Sequence, residues 1–132
     1  QIKKKTAELI EELQLGDITK SRVGSLPLGW KQKLAFSVSL LHEPKIVFLD
    51  EPTGGVDPIT RRQFWELIYT EADKGTTIFV TTHYMDEAEY CDRVSIMVDG
   101  VIEALDTHKK IKKQFDVDSM NEVFLKLARN IE

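Results

Sequence analysis

Hydrophobic positions along the chain switch between two periods. In residues 2–14, Ile2, Leu9, Ile10 and Leu13 fall at helical spacing, and Gly16 is placed to stop the helix. Residues 16–24 are polar and loop-like. A second helix is predicted from about Leu28 to His42, ended by Glu43-Pro44, because a residue before proline is pushed out of the helical region. The texture then changes to Lys45-Ile-Val-Phe-Leu-Asp50, a short continuous apolar run of the kind that forms strands buried on both faces in parallel sheets. Thr76-Thr-Ile-Phe-Val-Thr81 repeats it after a helix predicted from Pro58 to Asp73, which opens on proline and closes near Gly75. Strand, helix, strand is a crossover unit, and it predicts an α/β fold with a parallel sheet and flanking helices. Arg93 to Val98 and Val101 to Leu105, joined by Asp99-Gly100, predict a hairpin with a tight turn. Ser119-Met-Asn-Glu122 has capping-box spacing ahead of Val123 to Ala128, a terminal helix with an apolar face. No internal repeat or low-complexity segment interrupts the series.

Composition narrows the class. A chain of 132 residues that is 42% hydrophobic and 30% charged fits one soluble globular domain rather than a disordered segment. The net charge of −4 arises from 18 basic and 22 acidic residues, which disfavours nucleic acid as a partner. Cys91 is the single cysteine, so an internal disulfide is impossible and a reducing compartment is expected. The run from Leu34 to Leu41 contains two serines and falls far short of the ~20 residues that span a bilayer. The chain is therefore expected to be soluble, with docking on a membrane protein still open. It opens on Gln1 without an initiator Met or an apolar leader, as a piece of a longer protein would.

The candidate chemistry gathers at strand ends. Ile46-Val-Phe-Leu leads into Asp50-Glu51, placing two carboxylates at the carboxyl end of a strand, where open α/β sheets bind ligands. An Asp there can hold Mg²⁺ through water, and the adjacent Glu can polarise a water for attack on a γ-phosphate. Taken alone, the pair reads equally well as a polar turn. Thr53-Gly54-Gly55-Val56-Asp57-Pro58 follows, with Asp57 a natural N-cap. The next strand ends in Thr81-Thr82-His83; with parallel strands ~4.8 Å apart, His83 is expected within reach of Asp50 and Glu51. Upstream, Leu26-Pro27-Leu28-Gly29-Trp30-Lys31 opens a helix whose unpaired N–H groups suit an anion.

Leu26 to Lys33, Leu41-His42-Glu43-Pro44, Ile46 to Asp57 and Thr81 to Asp92 follow one another as in the nucleotide-binding domain of ABC transporters, which the chain resembles over essentially its whole length. The resemblance implies part of a P-loop NTPase (RecA-like) sheet: residues 1–43 would be a remnant of the helical signature subdomain, and 44–132 the C-terminal part of the ATPase core. It implies ATP and Mg²⁺ as cofactors. Asp50 would be the Walker B residue at the metal, Glu51 the catalytic base and His83 the switch histidine on the γ-phosphate. Asp57 would close the D-loop. Leu26, Pro27, Leu28, Gly29, Trp30 and Lys31 would form the signature turn, which caps ATP held by the opposite subunit of a head-to-tail dimer. The implied partners are a second nucleotide-binding domain and a transmembrane permease on the cytoplasmic face of the membrane. Thr82 to Asp92 and the tail around Met120 to Leu125 look most like subunits serving ABC-2 type permeases, often multidrug exporters.

Departures qualify that likeness. Where the family has Leu-Ser-Gly-Gly-Gln, this chain has Leu-Pro-Leu-Gly-Trp, so the serine hydroxyl is lost at Pro27; either the backbone N–H groups and Lys31 suffice for an active site, which is the favoured reading, or the site is weakened and a paired site powers transport. Gly54 stands where Ser is common, which is expected to loosen the loop. No Gly-x-x-x-x-Gly-Lys-Ser/Thr phosphate loop occurs in these residues, so the chain by itself is expected to bind ATP–Mg weakly and hydrolyse it negligibly, and its exposed strand edge is expected either to self-associate or to reorganise the sheet by strand exchange. A regulatory, translation- or DNA-associated ATPase of the same superfamily and an interaction-only module are the rival readings. Phe64 and Trp65 read as core, Cys91 as a half-buried residue without a redox role, and the lysines between 109 and 113 as a solvated helix face.

Overall fold

The computed structural model describes residues 2–12 and 15–129, with the backbone alone at Ile2 and Glu12. Its contacts divide it into two compact units, residues 1–81 and 82–132. That division is drawn by packing and is distinct from the motif grouping at 43/44.

The first unit contains helices α1 (Ile2–Glu12), α2 (Leu28–Leu40) and α3 (Pro58–Asp73) and strands β1 (Ile46–Asp50) and β2 (Thr77–Thr81). Short 3-10 turns at Gly16–Ile18 and Val23–Ser25 replace the featureless loop expected between the first two helices. Leu9 of α1 is buried with Leu15, and Trp30, Leu34 and Leu67 pack against them. Leu13 and the side chain of Ile2, two of the positions that marked this helix, lie outside the described residues. α2 ends at Leu40, short of His42, because Glu43 turns into the left-handed region (φ 53) ahead of Pro44 and donates its N–H to Leu40 O at 3.0 Å.

α3 has the predicted bounds, and its start is well capped. Asp57 Oδ1 accepts from the N–H groups of Ile59 and Thr60, each at 3.0 Å, and Oδ2 accepts from the Thr60 hydroxyl. Pro58 takes the first helical position, where a missing N–H costs nothing. The helix buries Phe64, Trp65 and Ile68, and the Phe64 ring meets Phe36 of α2 at 5.5 Å between centroids.

β1 and β2 pair in parallel, from Ile46 opposite Thr77 to Asp50 opposite Thr81, as the crossover pattern requires. One expectation fails here. The strands are covered on one face only: Val47 is 4% exposed, whereas Phe48 is 75% and Phe79 55% exposed. Side chains alternate along a strand, so Ile46, Phe48 and Phe79 share the open face, with the two rings 5.8 Å apart. An unbroken apolar run asks for a layer on each side, and the described residues supply one.

The second unit is a hairpin with two helices: β3 (Val94–Val98), β4 (Val101–Asp106), α4 (His108–Gln114) and α5 (Met120–Arg129), preceded by a 3-10 turn at Glu87–Tyr90. Asp99 and Gly100 both take positive φ (47 and 80), the combination a type I′ hairpin turn needs. Ser119 caps α5, accepting the Glu122 N–H at 3.2 Å while its hydroxyl donates to Glu122 Oε1 at 3.0 Å. Ile111, Met120 and Val123, each 1% exposed or less, join Ala88, Ile96, Ala104 and Leu127 in the core. The lysine-rich segment is α4: Lys109 and Lys110 are exposed, and Lys112 reaches Glu89 at 2.9 Å.

Ile111→Ala is expected to destabilise the second unit by about 2–5 kcal/mol, read from the urea midpoint. A second expectation concerns acid. The Asp57 carboxyl is held below its ordinary value of 3.8, chiefly by the Thr60 hydroxyl and then by the Thr60 N–H. Folding thus favours the ionised form: its stabilisation is complete above the ordinary value and fades as pH falls through the lower folded one. Asp57→Ala should lower the thermal midpoint at pH 7, and wild type and variant should converge below pH 3.8.

Candidate functional site

Asp50 is the last residue of β1, and its partner in register, Thr81, is the last of β2. The two strand ends are tied together by three hydrogen bonds. The Thr81 hydroxyl donates to Asp50 Oδ1, and Thr81 Oγ1 itself accepts the Glu51 N–H at 3.1 Å. Glu51 N–H also reaches Thr81 O at 3.1 Å. Glu51 itself has φ 45, a costly backbone for a residue with a side chain, and the bonds to Thr81 hold it there. Both carboxylates are exposed. The Thr81 hydroxyl at Asp50 follows from the strand register, which puts Thr81 opposite Asp50.

Beyond Glu51 the chain makes a turn closed by Gly54 N–H on Glu51 O at 3.0 Å, with Thr53 buried at its centre (1% exposed). Gln32 of α2 donates from Nε2 to Gly54 O at 3.2 Å. The expectation that Gly54 loosens this loop is therefore corrected: both of its backbone polar groups are engaged, and a Cβ there would sit 3.2 Å from Glu51 O. Gly55 has φ 74 and needs its glycine.

Two helix starts face each other across a cleft of about 340 Å³, with Pro27, Leu28, Gly29 and Trp30 on one wall and Gly55 and Asp57 on the other. Gly29 makes their approach possible, because a Cβ at this position would come 2.4 Å from Thr60 Cγ2. The two starts differ. α3 carries the Asp57 cap, whereas α2 has no side-chain cap, and the Pro27 carbonyl accepts from Trp30 and Lys31 N–H at 3.1 Å each. The first-turn N–H groups of Leu28 and Gly29 precede the helical ladder. Lys33 lines the cleft as well, with Nζ 3.0 Å from Gln63 Oε1 and 5.1 Å from the Trp30 ring centre, so the cation nearest the turn includes one not singled out in sequence. Leu26 is buried (7% exposed) beneath the turn, and Lys31 is half-exposed outside the cleft lining. Trp30 packs against the Leu9–Leu15 cluster as well as lining the cleft.

His83 belongs to the second unit, exposed in the turn after β2, with its ring 4.2 Å from that of Tyr84. Behind it lies Glu87, fully buried, whose Oε2 accepts from the Thr82 hydroxyl at 2.6 Å. Burial, and secondarily the charges of Glu87 and Asp92, push the Cys91 thiol up to about 11, which leaves it a poor nucleophile at neutral pH.

No group of three or more His, Cys, Asp or Glu side chains is placed to hold a metal among the described residues. Asp50 nonetheless fits Mg²⁺, which commonly takes one or two protein carboxylates and completes its shell with water and substrate phosphates. Thr81 engages Oδ1 and fixes the carboxylate's rotation.

The family model described as ABC transporter matches residues 1–54. A probable multidrug ABC transporter ATP-binding protein of Escherichia coli K12 is 46% identical over 96% of the chain, and an ABC transporter A family member of Arabidopsis thaliana is 45% identical over 85%. The chain spans 23% and 12% of the length of those two relatives. A solved ATP binding subunit of an ABC transporter superposes with a TM-score of 0.79 at 28% identity, covering 96% of this chain and 54% of that one. No helix among the described residues is long and apolar enough to cross a membrane. With its Asp-Glu strand end, its paired helix starts and these likenesses, the chain belongs to the ABC transporter family, as part of an ATP-binding domain.

Proposed function

We propose that the chain supplies the water-activating and signature portions of an ATP-hydrolysing ABC domain that drives a permease, of the exporter type. The observation that carries this reading is the strand end itself. Glu51 sits in a strained backbone held by Thr81, next to an Asp50 whose carboxylate the same hydroxyl orients. Such preorganisation suits a general base, which must meet its water in one geometry. Asp50 would hold Mg²⁺ through its water shell, and the ion would supply charge neutralisation to the nucleotide's phosphates. Glu51 accepts the proton of the attacking water. His83 donates a hydrogen bond to the γ-phosphate and reports its presence.

The turn from Leu26 to Lys31 faces the nucleotide of a second, head-to-tail domain. With proline in place of serine, the N–H groups of Leu28 and Gly29 and the partial positive charge of the uncapped α2 start take the anion, and Lys31 and Lys33 add charge. Asp57 spends its carboxylate on α3, so its part is to hold the loop that faces the partner domain rather than to touch phosphate. The home of such a subunit is the cytoplasmic face of the membrane, on its permease. The multidrug naming of the bacterial relative supports export over import.

In the full-length protein, Glu51→Gln should lower the ATPase kcat by roughly 10²–10⁴-fold while nucleotide binding persists, measured by phosphate release and equilibrium binding. Hydrolysis at the wild-type rate would remove Glu51 as the base. The 132-residue chain alone should show no micromolar ATP–Mg affinity by calorimetry. It should also self-associate through the open face of Phe48 and Phe79, and Phe48→Lys should restore a monomeric mass in light scattering; a monomeric wild type would refute that surface.

A further inference from the structure

The turn that carries His83 is built around one oxygen. Thr82 Oγ1 gives its proton to Glu87 Oε2 at 2.6 Å, and it accepts the Tyr84 N–H at 3.0 Å. The residues on either side of His83 are thereby joined through a single hydroxyl. Glu87 closes the arrangement from below: its N–H reaches Tyr84 O at 3.1 Å, and its side chain is fully buried. Cys91 Sγ adds a contact to Glu87 O at 3.8 Å.

A hydroxyl has one proton and two lone pairs, so which neighbour receives the proton decides what the lone pairs can do. With Glu87 as acceptor, a lone pair of Thr82 is left for Tyr84 N–H, and the backbone through His83 is fixed at both flanks. The Tyr84 ring, 4.2 Å from the imidazole between centroids, packs against one side of it. Burying a carboxylate is expensive and is tolerated where its hydrogen bonds are needed. A turn that merely closed a strand would not require it.

We propose that Glu87 and Thr82 are positioning residues that set the direction of the His83 imidazole. The inference rests on the reading of His83 as the γ-phosphate contact, and it assigns the buried pair behind that contact. Neither residue touches nucleotide; both act through His83.

The test uses the full-length protein with ¹³Cε1-labelled histidine in a deuterated background. Thr82→Val, which keeps the shape and removes the hydroxyl, and Glu87→Ala should each shift the His83 resonance and leave those of His42 and His108 in place. Each should lower kcat for ATP roughly 10-fold, with KM changed less than about twofold, the cost of a misdirected contact rather than of lost binding. Thr82→Ser and Glu87→Gln, which keep a donor and an acceptor, should retain both the resonance and the rate. In a His83→Ala background, Thr82→Val should cost nothing further. An unmoved His83 resonance in Thr82→Val and Glu87→Ala overturns the proposal, as does an equal loss from Thr82→Val with and without His83. If His83→Ala itself hydrolyses ATP at the wild-type rate, the phosphate role of His83 falls, and the resonance shift alone then decides the brace.

Discussion

The bonds between Thr81 and the Asp50–Glu51 pair join the two strands at the edge where the chemistry is expected. A parallel ladder fixes where each strand ends relative to its neighbour, and a one-residue slip would turn every side chain to the other face. With Ile46 opposite Thr77, the Thr81 hydroxyl arrives beside Asp50 and the Glu51 N–H finds two oxygens of the same residue. Glu51 can then hold a positive φ that it would abandon in a free chain, because the cost of that backbone is met locally by hydrogen bonds. A fixed backbone at Glu51 and an oriented Asp50 carboxylate beside it both follow from one threonine.

The same constraint spreads to the helices. The turn after Glu51 presents the Gly54 carbonyl to Gln32 of α2, so the carboxylate end and α2 share a hydrogen bond. On the far wall, Asp57 caps α3 and grips Thr60, and Thr60 fills the space that a side chain at Gly29 would need. The uncapped start of α2 and the capped start of α3 are therefore placed by a few short contacts: one amide, one carboxylate and one missing Cβ. Their asymmetry has a functional logic, since a helix end satisfied by its own Asp has less to offer an anion than one left open.

The open face of β1 and β2 is the other side of that economy. Phe48 and Phe79 lie against each other with one side bare, and strands of this composition are stable in sheets covered on both faces. The solved ATP binding subunit that superposes on the chain is almost twice its length.

Local pattern and chemistry were legible in the amino-acid sequence by itself. The bounds of α3 followed from Pro58 and Gly75, the hairpin from Asp99-Gly100, the last helix from Ser119 and Glu122, and the candidate carboxylates from their place after an apolar run. These features are governed by neighbours within a few residues, and spacing records such neighbours. What waited for tertiary structure were contacts between residues far apart in the chain: Thr81 with Asp50, Gln32 with Gly54, and Thr60 against Gly29. The Thr82–Glu87 bond is nearer in sequence, yet only packing shows its carboxylate buried. The one-sided burial of β1 was also beyond reach, because an apolar run states what a strand would bury, and only the assembled layers decide what covers it.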